Sequence, residues 1–222
     1  VPCALVGATL PGIVIKQAKL RGVESNGMLC SARELGMSDD HSGLLVLPED
    51  APVGKDIRDY LDLDDTVLTL KLTPNRGDCL SMSGIARDLA ALTGKAHALP
   101  AAPVVSPTLA ETREVRITDG HACGAYFGRV IRGLDPKAKT PDWMARRLER
   151  AGLRPRSPLV DITNYVMLER GQPMHAFDHA RLEGAIDVRM ARPGEELKLL
   201  NKQWAEYLPN LILITDAHGP VA

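Results

Sequence analysis

Residues 161–178 read DITNYVMLERGQPMHAFD, and the fold turns on whether this stretch is a helix, a strand or a polar loop. It sets Asp161, Thr163, Asn164, Glu169, Gln172, His175 and Asp178 among Val166, Met167 and Leu168. Val160, Thr163, Val166, Met167 and Arg170 recur at the three- and four-residue steps of one helix face, and Gly171 offers a left-handed stop. The β-branched residues Val160, Ile162, Thr163 and Val166 lean toward a strand, because two heavy atoms on Cβ restrict χ1 in a helix. The spacing predicts a helix closed by Gly171, then a segment turning back through Pro173. On that geometry Asn164 and His175 face one another over a pocket floor. The competing reading makes Asn164 a cap for a neighbouring element and His175 a satisfied core histidine. Residue types alone favour the competing reading.

Just upstream, TPDWMARRLERAG (140–152) predicts a helix with Thr140 as N-cap, Pro141 at the first position, Asp142 in the first turn and Gly152 at the end. Arg146, Arg147, Arg150, Arg154 and Arg156 are opposed only by Glu149. That cluster reads as a phosphate-contacting face, or as an ordinary solvated face whose Arg stems cover apolar surface. The balanced charge around it favours the second. Strands are expected at EVRITD (114–119), GAYFGRVIRGL (124–134), AIDVRMA (185–191), ELKLLN (196–201), WAEYL (204–208) and LILITD (211–216).

Further upstream, residues 1–47 have an all-β texture. GIVIKQAKL (12–20) and GLLVLP (43–48) are β-like, RGVESNGMLCS (21–31) carries turn signals, and SARELGM (31–37) suits one helical turn. DTVLTLKL (65–72) alternates as a strand does. TPNRGD then breaks the chain before a helix with Asp78 or Ser81 as cap, Met82, Ile85, Leu89 and Leu92 on one face, and Gly94 as stop. Pro100, Pro103 and Pro107 make 98–111 a stiff linker. The expected division is therefore 1–47, a connecting strand–helix segment 48–97, the linker 98–111, and a last domain 112–222.

Composition bounds the function. The chain has 222 residues, 45% hydrophobic and only 4% aromatic, so its core must rest on aliphatic side chains. With 27 basic against 28 acidic residues, net charge −1, a globally basic nucleic-acid coat is excluded. Cys3, Cys30, Cys79 and Cys123 form no CxxC, so free thiols in a reducing, cytoplasmic compartment are expected. No apolar run has membrane-spanning length, and no membrane partner is expected. Both ends of the sequence are abrupt, which suits a fragment of a longer chain. GxSxG, P-loop and GxGxxG patterns are absent. His175 and His179 have the i, i+4 spacing of a helical metal pair with Asp178 between them. No third ligand stands out, so no metal site is expected and His179 reads as a solvated residue.

Longer motifs say more than spacing. VDITNYVMLERGQPMHAFD (160–178) resembles the signature of the B3/B4 editing domain in the β subunit of bacterial phenylalanyl-tRNA synthetases. LTPNRGDCLSMSGIARDLAALTG (72–94) resembles the segment before that domain. KLRGVESNGMLCSARELGMSDDHSGLLVLPEDAPVGKD (19–56) resembles the end of that subunit's tRNA-binding OB-fold insert. The three occur in the family's order. A departure falls at LLNKQ (199–203), where the family has an Asp-Gly hairpin turn.

The resemblance implies an α+β chain: an OB-fold-like β remnant, a connecting α/β segment, and a mixed-sheet B3/B4-type editing domain that is C-terminally incomplete. It implies a part of a ligase that joins phenylalanine to its tRNA using ATP and Mg²⁺, with an α subunit in an α2β2 tetramer that carries the aminoacylation site. This part would bind tRNA and hydrolyse tyrosine wrongly esterified to it, with no cofactor of its own. Thr163, Asn164 and His175 match residues lining the editing pocket, where Asn164 and His175 would orient the ester end and a water. The acidic residue that reads the tyrosine hydroxyl would lie beyond Ala222. Arg146, Arg147, Arg150 and Arg154 are the candidate tRNA contacts. The alternative is a stand-alone RNA-binding or protein-interaction module without hydrolytic activity.

Overall fold

The computed structural model describes residues 1–39, 42–99, 101–199 and 202–222. These divide into two compact units, Val1–Leu68 and Thr69–Ala222. The proline-rich segment 98–111 lies inside the second unit. Its Pro100, and Leu200 and Asn201 of the departing turn, are outside the described residues.

The first unit is built from very short strands. β1 (Cys3–Leu5) pairs antiparallel with β6 (Gly27–Leu29). β2 (Thr9–Leu10) and β3 (Ile13–Val14) form one hairpin, β4 (Ala18–Leu20) and β5 (Val23–Ser25) another. Arg21 and Gly22, the two residues of the second turn, both take positive φ, 51° and 87°. That twist matches the twist of the paired strands, which is why an Xaa-Gly step sits there. Ala4, Ile15 and Cys30 form a small core, with Ala8, Leu10, Met28 and Leu35 packed against it. The 31–37 segment forms turns rather than a helix. The Ser31 amide and hydroxyl both donate to Glu34 Oε2, at 2.6 and 2.8 Å. One helical turn, α1 (Ile57–Tyr60), is capped by the Asp56 side chain.

In the second unit, β7 (Val115–Ile117) lies parallel to β8 (Ile186–Met190), and β8 lies antiparallel to β11 (Ile212–Thr215). The sheet order is β11-β8-β7. β9 (Glu196–Lys198) and β10 (Trp204–Glu206) form a separate hairpin. Ile186, Val188 and Ala191 on and beside the central strand are buried with Leu213 of β11. The long connection between β7 and β8 carries α3 (Asp142–Arg150) and α4 (Pro158–Arg170). α3 buries Met144 and Leu148 and packs against α4.

The 160–170 run is a helix, as its spacing predicts. Ser157 stands at its N-cap with Pro158 in the first position, and Gly171 closes it at φ 81° with its N–H on the Met167 carbonyl. Its most buried residue is polar: Asp161 is 1% exposed. Asp161 accepts from the Thr140 hydroxyl and, at 2.8 Å, from the Arg156 amide. Thr140 is thus spent on α4, and Pro141 holds the N-cap position of α3 instead of the expected Thr140.

The helix after TPNRGD is α2 (Met82–Thr93), capped by Ser81 and stopped by Gly94 in the left-handed region. Arg76 fastens the preceding 3-10 turn (Gly77–Cys79) to it, bridging Asp78 at 3.0 Å and Asp88 at 2.7 Å. The two carboxylates raise the Arg76 pKa further. The buried side of α2 is not the apolar stripe. Met82, Leu89 and Leu92 are more than half exposed, whereas Ser83 and Gly84 are buried. The reason is close approach. A Cβ on Gly84 would stand 1.8 Å from the Asp78 carbonyl oxygen, and the Ser83 hydroxyl donates to the Glu169 carbonyl at the end of α4, at 2.7 Å. Only small residues fit there.

Three expected strands are not formed. Residues 43–48, 65–72 and 124–134 have no partner strand among the described residues. Val67, Leu68, Phe127 and Ile131 stand exposed. Alternation marks a segment able to form a strand, but the ladder must be supplied by a neighbour.

Candidate functional site

α4 sets Thr163 and Asn164 side by side, both half-buried. The Thr163 hydroxyl donates back to the Val160 carbonyl at 2.8 Å. That leaves its oxygen lone pairs to accept from a ligand. Beyond Gly171 the chain runs without regular structure to His175, which is exposed and stacked on Phe177, rings 5.7 Å apart and 7° from parallel. His175 is therefore not a core histidine. Among the described residues, no hydrogen bond or ring contact joins it to Thr163 or Asn164. None of the three lines either of the cavities described for this protein.

In the arginine cluster, Arg147 meets two aromatic residues. Its Nη1 donates to the Tyr165 hydroxyl of α4 at 2.6 Å, and its guanidinium lies 5.5 Å from the Trp143 ring centre. Arg146 and Arg150 are half-buried, and Arg154 and Arg156 are exposed.

The larger cavity is an open groove of about 770 Å³ beside β7, β8 and β11, and motif reading missed it. Arg113, Arg116, Asp187, Arg189, Arg192, Glu195 and His218 line it among others. Glu111 also lines it, and Arg132 holds Glu111 through two bonds of 2.9 and 2.5 Å, which lowers the Glu111 pKa. His179 sits in that cluster. Arg113 donates to its carbonyl at 3.2 Å, and Arg132 Nη2 lies 3.2 Å from its Nδ1. His179 is thus a packed residue and not the solvated one expected. Among the described residues, no group of three or more His, Cys, Asp or Glu side chains is placed to hold a metal ion. Close to Arg113, which bonds the carbonyls of Leu182 and Gly184, the Glu183 carboxylate raises the His218 pKa from 2.8 Å. One signal for the groove was present in the sequence: Asp187 and Arg189 interrupt the otherwise apolar strand IDVRM.

Arg189 and Glu195 form the groove's least exposed ion pair, with bonds of 2.8 and 2.5 Å. The Arg189 guanidinium, aided by the Arg192 amide, holds the Glu195 carboxyl down from 4.5 to about 2. A depressed carboxyl pKa contributes stability above the ordinary value and loses it as pH falls toward the folded one. The contribution is at most about 3 kcal/mol. Glu195→Gln should therefore destabilise the second unit at neutral pH, with the gap to the parent closing between pH 4.5 and 2. Unfolding followed across that range checks it, and a gap independent of pH refutes it.

Two family models match this chain in separate regions. The model described as "Putative tRNA binding domain" matches residues 4–56, and that of the B3/4 domain matches residues 122–222. An α+β chain with these two modules in this order defines the class. Over its whole length the chain is 59% identical to the phenylalanine–tRNA ligase beta subunit of Thiobacillus denitrificans, covering 28% of that protein. It is 59% identical to that of Aromatoleum aromaticum, over 97% of this chain and 27% of the relative. It is 54% identical to that of Neisseria meningitidis, again over 28% of the relative. The resemblance read from the motifs therefore extends over the whole chain, which is similar throughout to one part of the beta subunits of phenylalanine–tRNA ligases. It spans little more than a quarter of the length of these relatives. No helix among the described residues is long and apolar enough to cross a membrane.

Proposed function

We propose that this chain is the part of a phenylalanine–tRNA ligase that binds tRNA and hydrolyses tyrosine wrongly attached to phenylalanine tRNA. The carrying observation is the succession of a tRNA-binding module and a B3/4 module in a chain similar throughout to beta subunits. The parent enzyme would act in the cytoplasm, use ATP and Mg²⁺ for charging, and pair this subunit with an alpha subunit in an α2β2 assembly. The expected domains are 1–47 for the OB-fold-like part, 48–97 and 98–111 as connection and linker, and 112–222 for editing.

The need for a second site is physical. A pocket shaped for phenylalanine rejects an isostere with one added hydroxyl by only about a hundredfold. A site that hydrogen-bonds the hydroxyl discriminates better, because phenylalanine would leave its buried polar groups unpaired. In this reading Thr163, Asn164 and His175 orient the ester end and a water. No side-chain nucleophile is required, since an aminoacyl ester is already activated. One observation favours the rival, a binding module without hydrolysis: the three residues line neither described cavity. The full-length ligase offered tyrosyl- and phenylalanyl-tRNA separates the two. Hydrolysis of the first well above the second supports editing, and equal or absent hydrolysis overturns it.

A further inference from the structure

The outer face of α3 carries an aromatic–arginine arrangement that motif reading did not single out. Trp143, Arg147 and Arg150 follow one another at i, i+4 and i+7, so they form a single stripe, with Arg146 on its flank. Met144 and Leu148 occupy the buried side. Trp143 remains 47% exposed although it is large and apolar. Tyr165, from α4, meets its ring edge-on at 5.3 Å and 89°. The same Tyr165 hydroxyl accepts from Arg147, whose guanidinium also lies over the indole. Arg147 is thus tethered at two points, which lowers the entropy lost when its other N–H groups meet an anion. Arg154 and Arg156 continue the positive charge just past the helix, with Glu149 the single acid between residues 146 and 156.

An exposed indole beside the pre-ordered Arg147 guanidinium suits one ligand chemistry: an unpaired nucleobase stacked on the ring, with its flanking phosphates on the arginines. A duplex backbone would use the arginines and leave the indole idle. An acidic peptide would supply no base to stack. We propose that Trp143, Arg147 and Tyr165 form a stacking platform for an unpaired nucleotide of tRNA, with Arg146 and Arg150 holding adjacent phosphates. The proposal deepens the reading that this chain meets tRNA, and rests on it. Tyr165 is on α4, one residue past Asn164, so a nucleotide held here is bound next to the helix that presents Thr163 and Asn164.

The test uses the full-length ligase and tyrosyl-tRNA. Trp143→Leu should raise KM for hydrolysis about tenfold or more with kcat little changed, because stacking on an aromatic ring is lost. Trp143→Phe keeps a ring and should stay within about threefold of the parent. Replacing Arg146, Arg147 and Arg150 together by Ala should flatten the log–log salt dependence of KM by about 2 to 3, whereas Trp143→Leu should leave that slope alone. Equal KM values for the Leu and Phe variants overturn the platform, as does a tRNA stripped of the bases of its unpaired nucleotides that retains parental KM. Should Trp143→Leu fail to fold, the parent enzyme decides. A tRNA with 4-thiouridine in its unpaired nucleotides should photocrosslink to the peptide containing Trp143, and absence of that crosslink refutes the proposal. Crosslinking needs no hydrolysis, so its failure is separable from failure of the editing reading.

Discussion

Replacing His175 with alanine in the full-length ligase is expected to slow hydrolysis of tyrosyl-tRNA by about a hundredfold, while charging with phenylalanine is nearly unchanged. The expectation rests on the QPMHAFD motif and on where the structure puts this side chain. His175 is exposed, and among the described residues its ring contact is the stack on Phe177. Its removal leaves no large cavity, so the cost to folding should be a few tenths of a kcal/mol, as for other surface substitutions. The loss in rate follows if the imidazole hydrogen-bonds a group whose charge grows in the transition state, since deleting such a donor costs about 10²-fold or more. Deacylation and melting temperature measured on the same variant separate site from scaffold. Parental hydrolysis sinks the assignment. Loss of hydrolysis and stability together would instead give His175 a packing role that its exposure argues against.

Asp161→Ala is expected to produce the largest effect on the fold. The carboxylate is buried and accepts from the Thr140 hydroxyl before α3 and the Arg156 amide before α4. Truncation leaves both donors without their partner and empties the space between the segments that start the two helices. A fully buried orphaned group costs about 1–3 kcal/mol, and these two donors are part-buried, so a total toward the lower end, near 3 kcal/mol, is expected. Amide exchange in α3 and α4 of the full-length subunit should accelerate about a hundredfold, since 1.4 kcal/mol is a factor of ten. Asp161→Asn should be far milder. The Asn oxygen can still accept from the Arg156 amide, and the Thr140 hydroxyl can turn to accept from the new NH₂. If Asn proves as damaging as Ala, the negative charge matters and not the acceptor pair, and this account of the α3–α4 junction fails.

The sequence by itself determined that the regions of α2, α3 and α4 are helical, where α2 and α4 stop, and which proteins the chain resembles. The three- and four-step periodicity through 160–170, the αL glycines Gly94 and Gly171 and the Ser81 cap act within a few residues, so local sequence carries their signal. The long motifs named the relatives before any geometry was known. Tertiary structure decided which faces are buried and which strand-like segments find a partner. The apolar stripe of α2 faces outward because the Asp78 carbonyl and the end of α4 press against Ser83 and Gly84. Thr140 serves Asp161 and not α3, because a partner 21 residues away competes for its hydroxyl. The same cause left 65–72 and 124–134 unpaired while 115–117, 186–190 and 212–215 formed a sheet. Alternation records that one side of a segment is apolar. It does not record which backbone will come alongside, because hydrogen bonds between strands join residues far apart in the chain.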